Sequence, residues 1–259
     1  MKDFAIRVLT ARQGITHLFS VGQAGFIIKS ASGQLLAWDL YLSECGERLE
    51  GNMGFKRLLP KLLTPEELVF DVVLTSHFHF DHYDPDTVPL LLSNSQTRLL
   101  AAYDCQELTE SAHLNQDRIS FLSPGDTVTV GDFTVHSVHC DHGTLAPRAI
   151  GAVIQVDGKT FYFTGDTCLR LDRAEEVTQF GKIDVLLAPI NGAYGNLNEH
   201  DCAILSKALC PSLTVPCHYG MFARHGGNPG VFQQYMQTEC PENAYLLMQM
   251  GEKYSFIEE

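Results

Sequence analysis

Residues 76–82 read S-H-F-H-F-D-H, directly after V-F-D-V-V-L-T at 69–75. The preceding run is short, apolar and rich in β-branched residues, the composition of a buried strand. In an extended or turning segment positions i and i+2 point the same way, so His77 and His79 can grip one ion. Asp81 and His82 lie just beyond, available to a second ion a few ångströms away. Imidazole and carboxylate are donors that suit Zn²⁺, Mn²⁺ and Fe²⁺.

Working outward, the same arrangement recurs along the chain: an apolar run stops at a polar, chemically competent residue. L-L-A-W ends at Asp39, F-T-V-H-S-V at His139, F-Y-F-T-G at Asp166, D-V-L-L-A-P-I at Asn191 and L-T-V-P-C at His218. In sheets flanked by helices, ligands collect outside the carboxyl ends of the strands. The runs are nearly continuous in apolar character, which predicts strands buried on both faces. Between them, Asp84-Pro85, Asn198-Glu199 and Asn228-Pro229 carry helix-start signals, and segments 103–117 and 171–180 have helical composition. Ser32-Gly33, Gly131-Asp132 and Asp157-Gly158 predict hairpin turns. The order of hairpins, strands and helices repeats from about Gly125, so the expected architecture is α/β, two similar halves facing each other within a single domain, 1–259.

The bulk composition agrees with a globular protein: 259 residues, 45% hydrophobic and 19% charged. No apolar run approaches the roughly 18–20 residues that cross a bilayer, and the start does not read as an export signal. Eight cysteines are scattered without a C-x-x-C pair, so reduced thiols and a cytoplasmic setting are expected. The net charge of −13 disfavours nucleic acid and anionic membrane as partners. A small-molecule substrate is expected instead, and one carrying negative charge would need local cations; Arg148, Arg224 and His225 are those nearest the motifs.

H-x-H-x-D-H after a strand resembles the signature of the metallo-β-lactamase superfamily. Asp39, His139, the T-G-D-T holding Asp166 and the P-C-H-Y-G holding His218 fall in the order that family uses. The resemblance implies a four-layer αβ/βα sandwich with metals at one edge of two facing sheets. V-G-Q-A-G-F (21–26), G-D-T (165–167), L-A-P-I-N-G (187–192) and V-P-C-H-Y-G-M-F (215–222) are most similar to the branch containing the ascorbate-6-phosphate lactonases, in which homo-oligomers are common.

The resemblance implies two divalent transition-metal ions, zinc or manganese, with iron accepted by the same donors. His77, His79 and His139 would hold one, Asp81, His82 and His218 the other, with Asp166 bridging. A hydroxide activated between the two metals would open a lactone or ester of a small substrate, a sugar phosphate among the candidates, and Asp81 would orient it and take its proton. The runner-up is a phosphodiesterase acting on a small nucleotide or RNA with the same metals. Histidine at 79, where redox di-iron relatives tend to place glutamate, favours hydrolysis.

Within V-H-C-D-H-G (138–143), His139 is the expected ligand because it follows its strand without interruption. His142 is left to a catalytic, substrate-side role or to the surface, Asp141 to a turn and Cys140 to a buried bystander. Asp39 is expected to hydrogen-bond the metal-binding loop, although Leu40 follows it where the family often has proline. Asn191 could donate to an oxyanion or serve only as a turn.

Overall fold

The computed structural model describes residues 2–257 as two mixed β-sheets packed face to face. The first holds β1 (His17–Gly22), β2 (Gly25–Lys29), β3 (Leu35–Trp38), β4 (Val72–Thr75), β5 (Arg98–Ala102) and β6 (Ile119–Leu122). The second holds β7 (Thr127–Val130), β8 (Phe133–His139), β9 (Ile150–Val156), β10 (Lys159–Phe163), β11 (Val185–Pro189) and β12 (Leu213–Cys217). A last strand, β13 (Lys253–Ser255), returns to pair with β1, giving orders β13-β1-β2-β3-β4-β5-β6 and β12-β11-β10-β9-β8-β7.

Each sheet begins antiparallel and continues parallel: β3 to β6 in the first, β10 to β12 in the second. This is the duplication expected from the sequence, and its turning point near Gly125 lies just before β7. The hairpin at Asp157-Gly158 joins β9 to β10 with φ of 50° and 71°, the doubly left-handed turn that matches strand twist.

Alternation along the strands builds the layers. Phe161 and Phe163 of β10 belong to the large core that takes in both sheets, while Tyr162 belongs to the helix-side cluster. Trp38 of β3 stacks on Phe163 with centroids 4.7 Å apart, and Phe26 meets the same ring at 5.9 Å, so the two sheets interlock through aromatics. Against the second sheet lie α5 (Ala174–Thr178), α6 (Glu199–Leu209) and α7 (Pro229–Glu239); against the first, α1 (Lys2–Leu9) and α3 (Val88–Leu91). Helices α2 (Cys45–Glu50) and α4 (Gln106–Ser111) complete the set. The sandwich of sheets with helices is the architecture the sequence predicts. No helix of the described residues is long and apolar enough to cross a membrane.

Three helix expectations change in detail. Asn198 and Asn228 cap α6 and α7 as read. Asp84, expected as a simple N-cap, is fully buried and accepts from the backbone of Leu42, Ser43, Asp86 and Thr87, and the helix proper begins only at Val88. The helix expected over 103–117 shrinks to a 3₁₀ turn and α4, because His113 turns left-handed at φ 52° and ends it. The one expected over 171–180 is likewise a 3₁₀ turn, 171–173, followed by α5.

Candidate metal centre

Five strand ends converge at one edge of the sandwich. Three of the residues found there, Gln23, Asp39 and His218, are non-glycines with left-handed φ of 54°, 43° and 63°. That conformation is uncommon for L-residues and collects at functional sites. Here it turns the chain sharply at the ends of β3 and β12. The His218 N–H donates to the Gln23 carbonyl at 2.8 Å, tying the two sheets together beside the site. The Ile150 N–H does the same to the Ser76 carbonyl at 2.9 Å.

The loop after β4 is held from beneath. Asp39 accepts from the Ser76 N–H at 2.7 Å, from the Ser76 hydroxyl at 2.6 Å and from His82 Nδ1 at 2.7 Å. With its proton given to Asp39, Ser76 Oγ accepts from His77 Nδ1 at 2.9 Å. These bonds take up Nδ1–H of both histidines and turn each Nε2 towards the site, where it can serve as a donor atom once it carries no proton. The expected role of Asp39 beneath the metal-binding loop therefore has a concrete geometry.

Two overlapping donor sets result. His77, His79 and His142 bring one ring nitrogen each within 4.8 Å of one another; Asp81, through a carboxylate oxygen, does so with His82 and His218, and Asp166 with His77 and His82 overlaps both. His77 Nε2 lies 2.8 Å from His79 Nδ1, and His142 Nε2 lies 3.3 Å from the same atom. In the second set His82 Nε2 and His218 Nε2 are 3.1 Å apart, with Asp81 Oδ2 3.3 Å from His218. Asp166 spans both: its Oδ1 is 3.3 Å from His218 Nε2, and its Oδ2 is 3.4 Å from His82 Nε2 and 3.9 Å from His142 Nε2.

The electrostatics fit cations. Burial pushes the His77, His79 and His142 pKa values down, His142 to about 4, so that set consists of neutral imidazoles with lone pairs converging on one point. In the other set burial opposes charging, but Asp166 and Asp81 outweigh it and raise His82 well above its ordinary value and His218 to about 9. Burial would raise Asp81 and Asp166, yet His82 and His218 hold both well below the usual carboxylate range. Without metal, protons on His82 and His218 stand where a cation would neutralise the carboxylates. Nitrogen and oxygen donors in this number suit divalent zinc, manganese or iron.

The assignment within V-H-C-D-H-G is corrected. His139 pairs with Ile150 as the last residue of β8. Its N–H and its Nδ1 both bond Glu176 Oε1 of α5 at 2.9 Å, and its side chain is 54% exposed. It is turned away from the site. The chain then runs three residues further along the G-D-T turn. Cys140 Sγ donates to the Asp166 carbonyl at 2.9 Å, the Asp141 N–H donates to Thr167 Oγ1 at 3.0 Å, and the Cys168 N–H donates to the Asp141 carbonyl at 3.0 Å. Arg170 pins the Asp141 carboxylate. This stitching delivers His142, with its side chain 1% exposed, beside Asp166. Gly165 permits the close approach: a Cβ there would lie 2.8 Å from the Ile150 carbonyl and 3.2 Å from Cys140 Sγ. Burial keeps Cys140 a neutral thiol and a bystander to the donor sets.

Asn191, expected as an oxyanion donor or a turn, stands apart from the donor sets. It is buried, neither of its amide atoms has a partner among the described residues, and it lies beneath Gly226 and Gly227 rather than in the cavity that opens on His79, Asp81 and His142. Two amides not singled out from sequence take part instead. Gln23 Nε2 donates to Asp81 Oδ2 at 2.7 Å and lies 3.0 Å from His225 Nδ1, and Asn196 Nδ2 donates to Asp166 Oδ2 at 2.8 Å. Gln23 sits in the quoted V-G-Q-A-G-F; Asn196 lies in a turn with no motif. Of the three basic candidates, Arg224 and His225 line the cavity, and Arg148 stacks on Tyr103 elsewhere.

Two facing mixed sheets with histidine and aspartate donors at their strand ends define a metal-dependent hydrolase of the metallo-β-lactamase type. A family profile described as a beta-lactamase superfamily domain matches residues 17–218. A UPF0173 metal-dependent hydrolase of Anaeromyxobacter dehalogenans is 31% identical over 233 residues, covering 85% of this chain and 80% of that protein. The chain belongs to the UPF0173 metal-dependent hydrolase family within that superfamily. Among solved structures, a metallo hydrolase from Ignicoccus hospitalis superposes with a TM-score of 0.75 at 20% identity, covering 95% of this chain and 100% of that one. The isothiocyanate hydrolase from Delia radicum gut bacteria gives 0.73 at 18% identity, covering 93% and 98%. These two likenesses establish the fold alone.

Proposed function

We propose that the protein opens a lactone or a related small ester at a dinuclear centre of zinc, manganese or iron. His77, His79 and His142 would hold one ion and Asp81, His82 and His218 the other, with Asp166 within reach of both sets. Two such ions lower the pKa of water towards neutrality and polarise a substrate oxygen. The carrying observation is the position of Asp166, whose two oxygens lie within 3.9 Å of histidines from both donor sets. The narrower sequence likeness to ascorbate-6-phosphate lactonases supports the choice of a cyclic ester.

The chain's own residues then have definable tasks. Asp81 keeps its charge, and the Gln23 amide fixes its Oδ2 at 2.7 Å, which suits a carboxylate that orients the attacking water. Asn196 orients Asp166 in the same way. Water adds to the carbonyl carbon, the ring C–O bond breaks, and the proton passes to the departing alkoxide, giving a hydroxy acid.

The test is pH-stat hydrolysis of a panel of lactones, esters, amides and a phosphodiester by the metal-loaded protein, with Asp166→Ala beside it. Lactone or ester turnover that falls by about 10³-fold or more in the variant is expected. Turnover of the phosphodiester alone would select the runner-up reading, and no turnover of any member would overturn the hydrolytic one.

A further inference from the structure

The donor sets open on a cavity of about 300 Å³. His79, Asp81, His142, Asp166 and His218 form its floor, and the walls are of a different character. Phe55, in the segment after α2, is their hub. Its ring centroid lies 5.4 Å from Phe80, 6.2 Å from Tyr194 and 5.6 Å from His225. Behind it, Tyr41, Met221 and Phe222 form a small core separate from the rest of the protein's interior. Gly46 makes this packing possible, since a Cβ there would lie 2.7 Å from the Phe80 ring. The wall is therefore rigid and aromatic.

At the mouth, apolar surface is left facing water. Met53 is 56% exposed, Leu145 45% and Tyr194 41%, all three lining the same cavity. Contiguous exposed apolar surface around a cavity marks a binding site. The charges there are sparse. Among the described residues Arg224 is the single lysine or arginine in the lining, its Nε donates to Tyr194 Oη at 2.8 Å, and Glu50 shares the rim. A phosphate away from the reacting carbonyl carries about −1.5 to −2 charges and calls for several donors. This rim offers one cation against one carboxylate.

We infer that the substrate carries an apolar aryl or alkyl arm, seated against Phe55, Phe80 and Leu145, and no phosphate remote from the reacting carbonyl. The inference rests on the lactone or ester reading above and narrows it, setting the sugar-phosphate candidate aside. Phe55, Phe80 and Leu145 become specificity-determining residues.

The metal-loaded protein is assayed on γ-butyrolactone, γ-phenyl-γ-butyrolactone and 6-phosphogluconolactone. Calorimetry measures binding of the two ring-opened acids, 4-hydroxy-4-phenylbutyrate and 6-phosphogluconate. The expected result is a kcat/KM about tenfold to a hundredfold higher for the phenyl-substituted ring than for the unsubstituted one, the range a pocketed apolar group supplies. The phenyl acid should bind more tightly than the phosphorylated one. Phe55→Ala should lower the phenyl preference about tenfold. Leu145→Glu, at an exposed position where folding is not at stake, should lower it as well. Preference for the phosphorylated lactone or its acid would overturn the inference. If no lactone or ester is hydrolysed, the reaction assignment fails, and the binding comparison still decides the character of the wall.

Discussion

Asp39 and His82 are joined through Asp39 Oδ2 and His82 Nδ1 at 2.7 Å, both side chains fully buried. The same carboxylate takes the backbone and hydroxyl protons of Ser76, so one residue at the end of β3 fixes both the path of the metal-binding loop and the direction of a donor ring. Asp39→Asn keeps the shape but presents an NH₂ group to at least one of these donors. Loss of such a supporting carboxylate typically costs 10–100-fold in metal affinity. Chelator competition on the folded variant should show a loss in that range; affinity equal to wild type would remove Asp39 from the account.

The metal-free protein should have a distinctive pH profile. His218 has its pKa raised to about 9 in the fold, against an ordinary value of 6.5, with His82 raised in the same sense. A histidine whose folded pKa exceeds its unfolded one stabilises the fold while protonated. That contribution is complete below about pH 6.5 and is lost as the pH rises through about 9. The Tm of the chelator-treated protein should therefore fall over this interval by more than that of the metal-loaded protein, where cations replace the protons. His218→Gln should remove part of the fall. Parallel profiles for the loaded and stripped protein would contradict the reading.

A second titration lies outside the donor sets, beside the Phe78 backbone of the loop that carries them. Burial pushes Asp104 up to about 6, and its Oδ2 has no hydrogen-bond partner among the described residues. Because its pKa is raised on folding, its contribution to stability is greatest below about pH 3.8 and is lost as the pH rises through about 6. Asp104→Asn should raise the Tm at pH 8 and change it little at pH 4, read by thermal denaturation. A lower Tm at pH 8 would show that the charged form is stabilised by an interaction absent from this structure.

The fold was legible because six of its strands are apolar runs leading into a chemically distinct residue, and because the run-and-turn order repeats about Gly125. His77, His79, Asp81 and His82 were legible because their spacing in one short segment is itself the geometry. His142 was not, because proximity of a histidine to a strand end says nothing of which way its ring turns. Glu176, 37 positions away, captures His139, and the hydrogen bonds from 140–141 to 166–167 carry the next histidine inward. Gln23 and Asn196 act through single amide contacts with Asp81 and Asp166, a kind of interaction that leaves no spacing pattern. Asn191 follows β11 by two residues, and the 225–227 loop packs over its backbone. Helix lengths were overread where a left-handed residue such as His113 cut the segment short.

The central claim is a dinuclear centre in which His142, not His139, completes the first donor set. Metal content per chain, measured by plasma mass spectrometry after loading and desalting, tests it most directly on wild type, His142→Ala and His139→Ala. About two ions are expected in wild type and His139→Ala, and about one or fewer in His142→Ala. Loss of metal from His139→Ala with full content in His142→Ala would contradict it.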